Sequence, residues 1–207
     1  MFLVSILKRW KALRHENECL KMPSFGWHFA LTLLVIASIL KENERKKALM
    51  LLPFGILSDI DAFIGIHRAT LHNIFVILLP SFAFLVVKGK KEWEESGKYF
   101  FLASSLLALH ILLDAFHTGV FLLYPLSKES YDFKFWLGVN EKGLSASFGC
   151  ERPGEIGEVV YVTTPSPAVP EVPLVNDGVE LVAMSAALLV FALKFIPHRR
   201  RSLSFSG

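Results

Sequence analysis

Residues 105–127 read SLLALHILLDAFHTGVFLLYPLS, an apolar run that carries His110, Asp114 and His117. On a helix these positions are i, i+4 and i+7, so all three side chains are predicted to lie on one face. An ionised carboxylate at the centre of a bilayer costs about 2.5–3.5 kcal/mol on insertion scales, so Asp114 needs a partner. The fold should therefore bring a compensating group to this helix.

The composition indicates an integral membrane protein. Of the 207 residues, 53% are apolar, against about 45–50% in soluble domains, and several runs approach the ~20 residues that a spanning helix needs. The net charge of +3 is small and scattered between the apolar runs, which argues against a nucleic-acid-binding domain. Cys19 and Cys150 stand alone without zinc spacing, and they can pair only if both face an oxidising compartment.

The predicted fold class is all-α, an integral membrane helical bundle of about five spans. The spans are predicted at residues 25–40, 48–66, 71–87, 99–126 and 179–196. The predicted domain order is an amphipathic interfacial N-terminal segment at 1–24, a membrane helical core at 25–126, an extramembrane cap at 127–178, and the last span with a basic tail at 179–207. Within the cap, FKFWLGV and EVVYVTT are predicted as short strands ahead of a Pro-rich connector.

The orientation follows from basic residues in the loops. The C-terminal HRRR and the basic loops at 41–47 and 88–98 fall on one side of the predicted bundle, which is therefore taken as cytoplasmic. This arrangement predicts a multi-pass protein of the cell membrane, with its ionisable cluster toward the outer leaflet.

Eight ionisable residues fall at one side of the predicted membrane, namely His28, Asp59, Asp61, His67, His72, His110, Asp114 and His117. Asp59 and Asp61 would point about 200° apart on a regular helix, so they serve one site only if the chain unwinds near residues 58–61. Three carboxylates and five imidazoles in one leaflet need compensation, and divalent metal supplies it. Imidazole and carboxylate together suit zinc, manganese or iron, and eight candidates allow one to three ions.

Arg68 has two readings of equal weight. Beside His67, its guanidinium could bind a phosphate oxygen of a substrate. It could equally be an interfacial charge that helps to set topology.

The ordered segments WHFALT (27–32), GILSDIDAF (55–63), HRATLHN (67–73) and the stretch from 107 to 127 resemble the motifs of the YdjM-like membrane-bound metal-dependent hydrolases. That family shows a helix opening with Thr-His, then LLPDIDH, HRxxTHS and SHLLLDxxTxxGxxLLWPLS. The resemblance covers residues 25–128 and implies a site built from His28, Asp59, Asp61, His67, Arg68, His72, His110 and Asp114. The chain departs from the pattern at Ser58, Ala62 and Leu71, and His117 stands where the family usually has Thr.

The family is remotely similar to the zinc-dependent phospholipase C and P1 nuclease group, which implies phosphoester hydrolysis. The expected enzyme is a membrane-embedded hydrolase in which one to three divalent ions, zinc first among them, activate a water, with Asp61 or Asp59 as base. Its expected substrate is a phospholipid or another amphiphilic phosphoester, with membrane lipid as its partner. The alternatives are a transporter of metal ions or protons, a haem-binding electron carrier, and a structural scaffold.

Overall fold

The computed structural model describes residues 25–88, 96–140, 143–158, 174–175 and 177–196. Its helices are α1 (Phe25–Ile39), α2 (Arg45–Leu51), α3 (Asp61–Ile64), α4 (Ile74–Val87), α5 (Gly97–Ala115) and α6 (Gly178–Phe195), with 3-10 turns at Glu42–Glu44, Leu52–Gly55 and Leu57–Ile60. Strands β1 (Asp132–Asn140) and β2 (Gly143–Glu151) form an antiparallel pair.

The main core lies between α1, α5 and α6. Leu33 and Ile36 of α1, Leu106 of α5, and Phe191 of α6 are all buried in one hydrophobic cluster. Helix α1 packs along α6, while α4 packs along α5. Helix α5 therefore occupies a central position, and it can present side chains to several neighbours at once.

The prediction of an all-α bundle of about five spans is wrong. The chain also contains a β-hairpin, and within the described ranges only α5 and α6 are long and apolar enough to cross a membrane. Helices α1 and α4 are apolar but shorter, at 15 and 14 residues. On α4 and α6 many apolar side chains are exposed, as for Phe82, Val86 and Val182, which is the surface expected of helices that face lipid.

Two predicted spans differ most from the structure. The one at 48–66 is broken into α2, two 3-10 turns and α3, because Pro53 removes a backbone donor and Gly55 weakens the helix. The one at 99–126 ends as a helix at Ala115. His117 consequently lies beyond α5 rather than on the face that carries His110 and Asp114.

The hairpin confirms one predicted strand and adds another. FKFWLGV lies inside β1, and its partner is β2, with Phe135 opposite Phe148. Leu144, Ala146 and Phe148 alternate with Ser145 and Ser147, which is a period-2 signal for β2, but most residues of this strand are small, and that weakens the signal. Hydrogen bonds between Val120 and Tyr131, 2.9 and 3.0 Å long, tie the base of the hairpin to the segment after α5.

Several predictions lie outside the described residues. They concern the amphipathic N-terminal segment at 1–24, which includes Cys19, the strand EVVYVTT beyond its first residue, the Pro-rich connector and the HRRR tail. Cys150 lies exposed on β2. The domain boundaries and the orientation in the membrane remain predictions.

Candidate metal centre

Four of the predicted site residues converge on one buried spot. Ligand atoms of Asp59, His72, His110 and Asp114 all lie within 4.8 Å of one another. His72 Nε2 is 2.9 Å from Asp114 Oδ2, and His110 Nε2 is 3.3 Å from Asp59 Oδ1. The two imidazole Nε2 atoms are 3.3 Å apart. This group of four could hold a metal ion.

The local folding of the chain explains this convergence. His110 and Asp114 stand one turn apart on α5 and therefore share a face. Asp59 lies in the 3-10 turn Leu57–Ile60, and His72 lies just before α4. The irregular backbone at 57–60 is the unwinding that the DxD pair required, and it places Asp59 and Asp61 at opposite ring nitrogens of His72.

Asp61 fixes the orientation of the histidines next to it through hydrogen bonds. Its carboxylate accepts from His67 Nδ1 and His72 Nδ1, each at 2.8 Å, and from the Leu71 backbone N–H at 3.1 Å. These three bonds engage both Asp61 oxygens, and Asp61 is not among the four grouped ligands. Asp61 therefore orients His72 in the structure.

Both histidines of the group present Nε2 to the same point. The Gly55 carbonyl accepts from His110 Nδ1 at 2.8 Å, and a carbonyl oxygen cannot donate, so Nδ1 carries the proton. The Asp61 carboxylate fixes His72 Nδ1–H in the same way. In the neutral imidazoles, the Nε2 lone pairs are consequently available to a metal, as in carboxylate–histidine–metal arrangements.

His72, Asp59 and Asp61 lie outside the spanning helices, and their pKa values are shifted by their neighbours. In the metal-free protein, burial alone would lower the pKa of His72, but its hydrogen bonds to Asp114 and Asp61 outweigh burial and raise that pKa to about 9. A metal ion that binds Nε2 would therefore have to displace a proton from it. Burial alone would raise the pKa of Asp61 and of Asp59. Hydrogen bonds from His67 and His72 to Asp61, and from His110 to Asp59, hold both carboxyl pKa values below their usual range.

Several buried polar atoms in and beside the group of four have no hydrogen-bond partner, and such atoms indicate whether a metal would fit there. The ring of His28 stacks on His110 with centroids 3.8 Å apart, and its Nε2 lies 3.3 Å from Asp114 Oδ1. Neither ring nitrogen of His28 has hydrogen-bond geometry to a partner, and neither does Asp59 Oδ2. Nitrogen and carboxylate donors of this kind suit zinc, manganese or iron, and the two carboxylates of the group balance one divalent ion. The residues fit a metal.

A family model described as YdjM inner membrane protein matches residues 22–200 of the chain. The chain belongs to the YdjM inner membrane protein family. The match confirms the resemblance drawn from the motifs and identifies a membrane protein. Comparison with curated proteins gave no match, and comparison with solved structures gave none either.

Arg68 of this YdjM-family chain is buried behind Asp114 rather than exposed. Its backbone has a left-handed φ of 63°, and its guanidinium lies 3.3 Å from Asp114 Oδ1 and 3.1 Å from the Gly119 carbonyl. It also donates to the Thr118 hydroxyl. The cation thus helps to hold Asp114 ionised and to fix the chain after α5, where it turns back toward β1.

Two further predicted residues lie beside the group of four. His67 is partly exposed and bonds only to Asp61 among the predicted ligands. His117 follows the end of α5, and burial together with Arg68 lowers its pKa. Gly55 was not among the predicted site residues, although it supplies the carbonyl to His110. The sequence signal was the glycine itself, since glycine allows a close approach to the backbone, and in the structure Thr32 packs directly against it.

Proposed function

We propose that this protein is a membrane-embedded, metal-dependent hydrolase that cleaves a phosphoester. The observation that carries the proposal is the buried group Asp59, His72, His110 and Asp114, in which each histidine has Nδ1 bonded and Nε2 facing the other ligands. A divalent ion held there would supply Lewis-acid polarisation of a phosphoryl oxygen and activate water for attack. Membership of a membrane family supports an amphiphilic substrate such as a phospholipid.

The residues of the group would have two roles, binding the metal and activating water. His72, His110 and Asp114 are almost completely buried, with side-chain exposures of 0–2%, whereas Asp59 is 14% exposed. Water and substrate therefore have their best access beside Asp59. Asp59 Oδ1 faces His110 Nε2 at 3.3 Å and would hold the metal, whereas Oδ2 is buried without a hydrogen-bond partner. Oδ2 of Asp59 is therefore the candidate base in preference to Asp61, whose oxygens are engaged by His67 and His72.

The surroundings keep this arrangement in place. His28 packs against His110 and approaches Asp114, so it is a further candidate ligand. Arg68 offsets the charge of Asp114 at the same oxygen, Oδ1, that His28 approaches. These contacts reduce the reorganisation needed when a phosphoester binds, which is the main source of electrostatic catalysis in such sites.

The test uses full-length protein purified in detergent, stripped with a chelator and reloaded with zinc, manganese or iron. We expect metal-dependent hydrolysis of a nitrophenyl phosphodiester or of one member of a phospholipid panel. Asp59→Asn should lower the rate by about 10²–10⁴-fold, the usual contribution of a general base, while Asp132→Asn, a buried carboxylate paired with Lys134, should leave it unchanged.

Metal-loaded wild-type protein that hydrolyses none of these compounds would overturn the proposal. The same preparation in vesicles would then be assayed for flux of zinc ions and protons. Flux without hydrolysis would identify a transporter.

A further inference from the structure

Two adjoining cavities lie at the end of the molecule away from the metal cluster. One of about 430 Å³ is lined mainly by apolar side chains of α2, α4 and α5, among them Met50, Leu79, Ala83 and Phe100. The other, about 880 Å³, is polar and shares Lys47 and Tyr99 with the first. The shared residues place the two cavities side by side, and together, as an amphipathic site, they present a polar and an apolar surface to one ligand.

The polar cavity is cationic. Its lining contains four cationic side chains, Arg45, Lys46, Lys47 and Lys98, against one carboxylate, Glu44. Glu44 accepts from Lys98 and Tyr99, and Lys47 donates to the Tyr99 hydroxyl at 2.9 Å while lying over its ring. Arg45 and Lys46 are exposed and form no ion pair with another described residue. Two positive charges are therefore available to an anion.

The smaller cavity is apolar, and some of the side chains that line it are exposed on the surface. Met50 is 73% exposed and Leu79 is 62% exposed, although both are large apolar side chains. The volume falls within the ~300–1,000 Å³ typical of small-molecule sites. A ligand that fills both cavities must combine an anionic head with a hydrocarbon part.

Distance separates this site from the metal cluster. Tyr99 at one end of α5 and Asp114 at the other are 15 positions apart on one continuous helix, which is about 22 Å at 1.5 Å per residue. A ligand in the amphipathic site and a substrate at the metal cluster would therefore occupy opposite ends of the same helix.

We propose that the site lined by Arg45, Lys46, Lys47 and Tyr99 and by the apolar groove of Met50, Leu79 and Ala83 binds an anionic phospholipid. The headgroup phosphate pairs with Arg45 and Lys46, and an acyl chain lies in the groove between α2, α4 and α5. Basic pockets beside membrane helices select anionic headgroups in this way. This lipid site is independent of the proposed hydrolysis.

The test is native mass spectrometry of the full-length protein in detergent, titrated with phosphatidylglycerol or phosphatidylcholine carrying the same oleoyl chains. Phosphatidylglycerol should bind at least ~10-fold more tightly. Arg45→Gln with Lys46→Gln should weaken its binding by about 30-fold, from two lost cation contacts. The matched double variant Lys128→Gln with Arg152→Gln removes two exposed cations elsewhere and should change nothing.

The groove is tested separately. Ala83→Phe should weaken both lipids by filling the space of the chain, whereas Val86→Phe, on the same helix but not lining the groove, should have no effect. Equal binding of the two lipids, or equal effects of the two double variants, would overturn the proposal. So would full competition by inorganic phosphate together with no effect of Ala83→Phe, since that result describes an anion site alone.

Discussion

Replacing Asp61 by Asn tests how the metal cluster is built. Asp61 is completely buried and accepts three hydrogen bonds, from His67, His72 and Leu71. An Asn side chain has one acceptor oxygen and an NH₂ group that can only donate, so it cannot accept from both imidazoles. If the NH₂ faces His72, Nδ1 must give up its proton, and the proton moves to Nε2, which then cannot bind metal.

The expected loss follows from this rearrangement. A lost bond at a buried group costs about 1–3 kcal/mol, and substitution of a residue that supports a metal-ligating histidine typically lowers metal affinity by about 10–100-fold. We therefore expect Asp61→Asn to weaken zinc binding by about 10–100-fold without abolishing it. Asp114→Ala removes a ligand and should cause a larger loss.

The assay is a competition between the purified protein in detergent and a fluorescent zinc chelator of known affinity. Asp132→Asn serves as the matched control, because Asp132 is also a buried carboxylate but pairs with Lys134. An unchanged zinc affinity in Asp61→Asn would refute the orienting role. A loss as large as that of Asp114→Ala would show that Asp61 binds the metal directly.

Three further predictions concern stability. Arg68→Gln should destabilise the metal-free protein by about 3–5 kcal/mol, because it leaves a buried carboxylate without its cation; a change below ~1 kcal/mol in denaturant unfolding would contradict this. Gly55→Ala places a Cβ 1.8 Å from Thr32 Oγ1 and should cost about 1–3 kcal/mol, whereas Gly149→Ala, with open space around it, should be tolerated; equal melting temperatures would refute the close approach. The pKa of Glu44 is lowered to about 2 by hydrogen bonds from a lysine and a tyrosine, so its stabilisation is present above pH 4.5 and is lost as the pH falls toward 2. The difference in melting temperature between wild type and Glu44→Gln should shrink over that range, and a constant difference would contradict the assignment.

The sequence predicted the members of the metal cluster better than it predicted the fold. His110 and Asp114 follow from helical spacing alone, and motif order linked them to Asp59 and His72. The division of roles between Asp59 and Asp61 could not be predicted, because it depends on the backbone path through residues 57–61. Two residues of one DxD pair reach opposite nitrogens of the same imidazole only in that irregular turn.

The predicted helix boundaries are wrong where apolar residues recur beyond the end of a helix. After Ala115 apolar residues recur at Val120 and Phe121, but the helix has ended, and these side chains are buried in an irregular segment. Val120 belongs to a small cluster against which Phe133 of β1 packs. An apolar run records burial without distinguishing a helix from a packed loop. That ambiguity also explains why Arg68 could be read as a surface charge, since its burial depends on the turn after α5.

Elemental analysis of full-length protein, purified in detergent without chelators and after zinc titration, tests the metal centre most directly. The structure predicts at least one tightly bound divalent ion per chain in the wild type, and its loss in Asp114→Ala and in His110→Ala. A folded wild-type protein that neither retains metal nor binds added zinc, manganese or iron would contradict the assignment of Asp59, His72, His110 and Asp114 as a metal site.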